Sequence, residues 1–208
     1  MKKLSLSFYQ RKDVVAIAKE LIGKIVVTNI DGKITSGRIV ETEAYVAHID
    51  KASHAYKGKR TLRNEAMYAA AGTVYVYICY GLHNMLNIVT NDMDVPDAIL
   101  IRALEPINGI DTMLERTNKT MLDNTLTKGP GNVAKAMGIS KYFSGKVLED
   151  EINIFQDGKA YQKNEIGISK RIGIDNAGID ALLPYRFFVK GNKYVSGKPV
   201  KLIMSDKL

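Results

Sequence analysis

The chain has 208 residues, 46% hydrophobic and 25% charged, with Lys+Arg 30 against Asp+Glu 22 and a net charge of +8. That length supports one good-sized core and little more, and no apolar run reaches the length of a membrane span. One cysteine, Cys79, excludes an internal disulfide and a thiolate-rich metal site. The three histidines, His48, His54 and His83, lack zinc-ligand spacing, so no metal centre is expected. The basic balance favours a polyanionic partner, nucleic acid before anionic membrane; an indifferent basic surface is the plainer alternative. Met1 to Ser7 carries the charges of a secretion signal without the apolar run that follows in one, so a cytoplasmic, nucleoid-associated location is expected.

In chain order, 13–22 reads as a helix: Asp13 is its cap, Val14, Ile17, Ala18 and Leu21 make its apolar stripe, and Gly23 ends it. Strands are expected over 24–30 and 33–45 around a turn at Asp31-Gly32, with Gly37 as a candidate bulge. The segment 51–64 is a polar loop, followed by a short helix over 64–71 closed by Gly72. Strands follow over 74–80, 85–90 and 98–103, then helices over 110–116 and 130–137, the second with proline in its first turn and Gly138 past its end. Late strands are expected over 186–189 and 200–204. Strands cluster without regular βαβ alternation, which predicts one α+β domain over 1–208.

Four features carry chemistry. Lys51, Lys57, Lys59, Arg60 and Arg63 share the 51–64 loop with no acid among them, and Ser53, Gly58, Thr61 and Asn64 add small donors and flexibility. This suits a phosphate backbone, although a solvated basic loop looks the same. In "VETEAY", Glu41 and Glu43 stand at i and i+2 of a strand, so they share a face roughly 7 Å apart, opposite Val40, Thr42 and Ala44. That face is either solvated or lines a cleft, where desolvation tunes a carboxylate for acid–base work. In "VYVYICYG", Tyr75 and Tyr77 share one face and Tyr80 falls at the strand's tip. Tyrosines in a sheet commonly pack a core; with Tyr45 beside a basic loop they also suit stacking on bases, worth about 1–3 kcal/mol per base. Finally, Asn87 and Arg102 are polar residues inside apolar strands. A buried arginine requires a partner, and Glu43 or Glu105 would serve.

With these residues in place the chain resembles the alkyladenine (3-methyladenine) DNA glycosylase family, the small metal-free type. The blocks that carry the resemblance are "GRIVETEAY", "SHAYKGKRTLRNEAM", "GTVYVYICYGLHNMLNIVT", "ILIRALEP" and "GPGNVAKAMGI", in order and at family-like spacing over nearly the whole chain. The resemblance implies a compact mixed domain with a curved antiparallel sheet and peripheral helices, acting as a monomer on double-stranded DNA that holds a damaged purine, without a cofactor. It implies base flipping followed by hydrolysis of the base–deoxyribose bond in substrates such as 3-methyladenine, 7-methylguanine, hypoxanthine and ethenoadenine. By position, Glu43 matches the base that activates water, and Arg102 the residue that helps hold that water and the flipped nucleotide. Tyr45, His54 and Tyr77 match the stacking walls, Asn87 the residue that rejects guanine, and Tyr80 the wedge. Lys59, Thr61, Arg63 and Asn64 lie in the matching backbone-contacting loop. Glu41 is support only. The chain departs from the usual pattern at Val46-Ala47-His48, at Leu62, at Lys128 and Asn132, and in lacking a tryptophan near its C-terminus.

Two other classes compete. A binding module for damaged DNA or structured RNA would not need Glu43 and Arg102 together. A hydrolase of other glycosides would use Glu41 and Glu43 as a pair, but would not need the basic loop or Tyr80.

Overall fold

The computed structural model describes residues 1–197, so the strand expected over 200–204 lies outside the described residues. The elements are β1 (Lys2–Lys3), α1 (Leu6–Tyr9), α2 (Val14–Glu20), β2 (Ile25–Ile30), β3 (Lys33–Tyr45), β4 (Val74–Cys79), β5 (His83–Thr90), β6 (Asp97–Asn108), α3 (Ile110–Thr117), α4 (Pro130–Ala136), β7 (Ile152–Gln156), β8 (Ile166–Ser169) and β9 (Arg186–Val189). They form one nine-stranded sheet in the order β1-β7-β2-β3-β6-β5-β4, with β9 on β3 and β8 on β9. The pairings are antiparallel, as the α+β reading requires.

Local chemistry explains the start of the chain. The Asp13 carboxylate accepts from the Ala16 amide at 2.9 Å and caps α2. Val14, Ile17 and Ala18 face the core, and Gly23 ends the helix with φ 90°. Asp31 and Gly32 take the left-handed backbone that a two-residue hairpin turn demands. The Thr42 hydroxyl donates to Ala18 O at 2.8 Å, fixing the far half of β3 to α2.

β3 is the organising strand. Its first half pairs with β2, and Glu41 to Glu43 pair with β9. Its other edge pairs with β6 through three register shifts. Ile39 faces Leu104 and Glu41 faces Ala103, so Val40 is extra; Thr42 then faces Ile101, so Arg102 is extra. These two bulges re-aim the strand pair where the acids and Arg102 meet. The third shift lies at Gly37, opposite Pro106. It explains why β6 runs well beyond the expected 98–103: proline is tolerated at a bulge, so Glu105-Pro106 does not end the strand.

Other expectations change. The helix over 64–71 is one 3-10 turn, Glu65–Tyr68, without a side-chain cap, because the Asn64 side chain turns back into the preceding loop. β5 begins at His83. β1, β7 and β8 are not among the expected elements. The main core lies between the sheet and α2, α3 and α4. A smaller cluster of Ala55, Met67, Tyr68, Tyr75, Val89 and Ala98 lies under the 51–64 loop.

A methyl group added at Gly37 would lie 2.9 Å from Leu104 Cβ. Gly37→Val is therefore expected to cost about 1–3 kcal/mol in urea unfolding through overpacking. An unchanged midpoint would show that Leu104 yields freely.

Candidate active site

Glu41 and Glu43 do share a face of β3, but it is not solvated: both side chains have no solvent exposure. Arg102, the bulged residue of β6, reaches both, with Nε 3.3 Å from Glu41 Oε1 and Nη1 3.3 Å from Glu43 Oε2. Glu105 plays no such part; it accepts from Asn192 Nδ2. Glu41 is the anchor of the group. It takes Arg186 Nε at 2.6 Å and the Ser196 amide at 2.8 Å, so two guanidinium groups share it. Glu43 accepts from the Ile172 amide on Oε1 and from the Tyr45 hydroxyl on Oε2, each at 2.8 Å.

In front of this cluster lies a cavity of about 400 Å³, within the usual range for a small-molecule site. Tyr45, His54, Arg63, Tyr77, Tyr80 and Asn87, singled out from the sequence, all line it. Glu43 and Arg102 do not reach its wall; Glu43 sits one hydrogen bond behind, through Tyr45. Tyr77 and His54 meet edge-on with centroids 4.5 Å apart, and Tyr77 lies 5.7 Å from Tyr75. Tyr75 belongs to the smaller core and also to the site: its hydroxyl bonds His54 Nδ1 at 2.8 Å, setting the imidazole's orientation. Asn87 is held by Nδ2 donating to Tyr75 O and Met85 O. Register places Tyr75, Asn87, Leu100 and Glu43 in one row across β4, β5, β6 and β3, which is why residues far apart in sequence converge here.

Tyr80 stands at the tip of the β4–β5 hairpin, 87% exposed. Tyr80 and Gly81 both have positive φ, 50° and 71°, and Leu82 N donates to Cys79 O. A bulky residue pays for this conformation, and asparagine would fit better. The strain keeps a large aromatic ring projecting into solvent. Leu82 and the departing residue Leu62 are also exposed.

The 51–64 loop divides. Lys59, Thr61 and Arg63 are exposed, and Arg63 also borders the cavity. The Asn64 side chain is buried and saturated: Oδ1 accepts from the Thr61 amide and hydroxyl, and Nδ2 donates to His54 O and Lys59 O. It shapes the loop from within. Arg60 is paired with Glu65 and Asp94, so it is not a free cation for phosphate. These two acids are exposed and paired, so the larger concavity beside them, about 670 Å³, offers no desolvated acid.

Sequence reasoning missed the opposite wall. Gly173, Ile174 and Asn176 border the cavity, and Ile172 supplies the amide that holds Glu43. Arg171 is buried, with its guanidinium 4.7 Å from the Tyr45 ring centroid. It sits in an unpatterned stretch, "SKRIGIDNAG", and its only signal is a cation beside apolar residues.

Burial pushes the Glu43 carboxyl above the ordinary glutamate range, against the opposing effects of Arg102, the Ile172 amide and the Tyr45 hydroxyl. Burial also raises the Tyr77 phenol to about 12. His54 is lowered, first by desolvation of its ring and then by Arg63 and Lys59. Burial works to lower Arg102, but Glu43 and Glu41 outweigh it and keep it charged. A folded-state pKa raised above the unfolded value contributes stability below the unfolded pKa, and that contribution is lost as pH rises through the folded value. Ionised Glu43 is therefore a cost at neutral pH. Glu43→Gln is expected to hold or raise the unfolding free energy at pH 7. Glu41→Gln, which strands Arg186 and leaves Arg102 with Glu43 alone, is expected to lose about 3–5 kcal/mol. Equal losses in denaturant unfolding would contradict this division.

The model of the methylpurine-DNA glycosylase family matches residues 7–193. A Clostridium perfringens relative, named provisionally as a 3-methyladenine DNA glycosylase, is 43% identical over 94% of this chain and 100% of its own length. Relatives with the same provisional name from Clostridium novyi and Desulfitobacterium hafniense are 44% and 40% identical, each over 95% of this chain and 100% of their own length. A family match across most of the chain, and relatives of this closeness over their full lengths, agree with the buried acid behind an aromatic cavity: this chain belongs to the methylpurine-DNA glycosylase family.

Proposed function

We propose that the chain releases damaged purines from duplex DNA by hydrolysing the bond between base and deoxyribose, with Glu43 as the base that activates water. Its family makes it a DNA glycosylase, a DNA-repair hydrolase of N-glycosidic bonds acting on damaged DNA. The observation that carries the finer reading is a desolvated carboxylate with raised pKa, one hydrogen bond behind a cavity of about 400 Å³ lined by Tyr45, His54 and Tyr77.

Flipping costs a few kcal/mol, least for damaged or mispaired bases. Tyr80 is placed to enter the stack and offset that cost, while Lys59, Thr61 and Arg63 take the flanking phosphates. Asn87 crowds the 2-amino group of guanine. The nucleophile is a water bound to Glu43, whose carboxylate the Tyr45 hydroxyl and the Ile172 amide keep in place. Ionised Glu43 removes a proton from that water as its oxygen attacks C1′ of the sugar, and the bond from C1′ to the base nitrogen breaks, its electrons leaving with the base. Positive charge building on the sugar is stabilised by the same carboxylate, and Arg102 keeps carboxylate and water aligned. A methylated purine is already cationic and leaves as a neutral base; hypoxanthine and ethenoadenine take a proton first. No lysine attacks, so the product is an abasic site in an intact strand.

Incubating the protein with a duplex bearing one hypoxanthine, and with methylated genomic DNA, should yield free hypoxanthine and 3-methyladenine. Strand breaks should appear only after alkali. Tight lesion binding without base release would contradict hydrolysis and leave a recognition module.

A further inference from the structure

We propose that Arg171 and Asp50 are a positioning pair for Glu43, an inference that rests on the hydrolytic reading above. Their side chains are 0% and 1% exposed, and they meet through two parallel bonds, Nη1 to Oδ2 and Nη2 to Oδ1. Arg171 also donates to Ala44 O and Asp180 O. Its guanidinium lies between Tyr45 and Tyr185, 4.7 and 5.4 Å from their centroids. Asp50 takes the Ala52 amide, and Asp180 takes the Lys51 amide. One pair thus joins the two walls of the cavity: the loop that carries His54 and the segment that carries Ile172, Gly173 and Ile174.

Burying two charges costs several kcal/mol per ion, and an apolar contact would tie two loops more cheaply. What the pair adds is direction. Arg171 backs the Tyr45 ring, whose hydroxyl holds Glu43 Oε2. Ile172, the next residue, presents its amide to Oε1 at 2.8 Å. A small shift of Arg171 therefore moves two of the three donors on Glu43, leaving only Arg102. The pair touches neither the water nor the sugar, so its effect is on the placement and proton affinity of Glu43.

The test uses the double variant Asp50→Asn/Arg171→Met, which removes both charges and so avoids leaving one buried alone. Single-turnover base release is followed across pH, and affinity is measured with a duplex carrying a tetrahydrofuran abasic analogue. The groups facing Glu43 are Arg102 from β6, Glu41 and Tyr45 from β3, Tyr77 from β4 and Arg171 itself. All but Arg171 remain in the double variant. Release should slow about 10- to 100-fold with affinity unchanged. The acid limb should move to higher pH, because Glu43 loses a donor that favours its ionised form. Arg171→Lys, which keeps the charge beside Asp50, should fall between parent and double variant, and it decides the matter alone if the double variant does not fold. Parental rates, or a slowing that follows lost affinity or lost thermal stability with the acid limb unmoved, would overturn the positioning role. A parent that releases no base takes down the hydrolytic reading and this inference with it; an active parent matched by the variant takes down only the inference.

Discussion

Glu41 and Glu43 stand on one face of β3, sealed from solvent, and Arg102 is the cation they share. Two buried acids side by side repel. One arginine between them, with Arg186 on the far side of Glu41, makes the group tolerable. The asymmetry matters more than the sum. Glu41 is bound to two guanidinium groups and a backbone amide, so it is held in place. Glu43 meets a single guanidinium, Arg102 at 3.3 Å, and two neutral donors, and burial raises its pKa. Two like residues, two positions apart, thereby come to lie in different environments, one anchored by two guanidinium groups and one with a raised pKa. The pair of bulges at Val40 and Arg102 makes this possible, since a regular ladder would not leave Arg102 unpaired opposite the two acids.

The cavity follows from the same strand order. Tyr75, Asn87 and Leu100 continue the row that ends at Glu43, and the small cluster under the 51–64 loop supports the aromatic side of it. Tyr75 works in both settings, buried in that cluster and bonded to His54. At the hairpin tip Tyr80 sits with positive φ and its ring in solvent. The buried acids thus sit on strands, and the exposed Lys59, Thr61, Arg63 and Tyr80 on short loops.

What could be read from the sequence was what local pattern reports. Asn87 and Arg102 stood out as polar residues in apolar strands, and period two put Glu41 and Glu43 on one face. Whether that face was wet could not be read locally, because its cover comes from Arg186 and Ser196, 145 and 155 residues away from Glu41. Arg171 and Asp50 are 121 residues apart, and neither lies in a periodic segment. Asn64 misled in the other direction: it has the look of a helix cap and of a phosphate donor, yet every one of its side-chain bonds goes to the loop before it. Pro106 hid the second half of β6, since a proline reads as a strand's end unless the bulge opposite is known.

The most direct measurement is single-turnover release of hypoxanthine from a duplex across pH, by the parent and by Glu43→Gln. The account predicts that the parent rate falls on the acid side with a midpoint above the ordinary glutamate range. It predicts that Glu43→Gln stays at background throughout while still binding the lesion. Release by Glu43→Gln at the parental rate would contradict it.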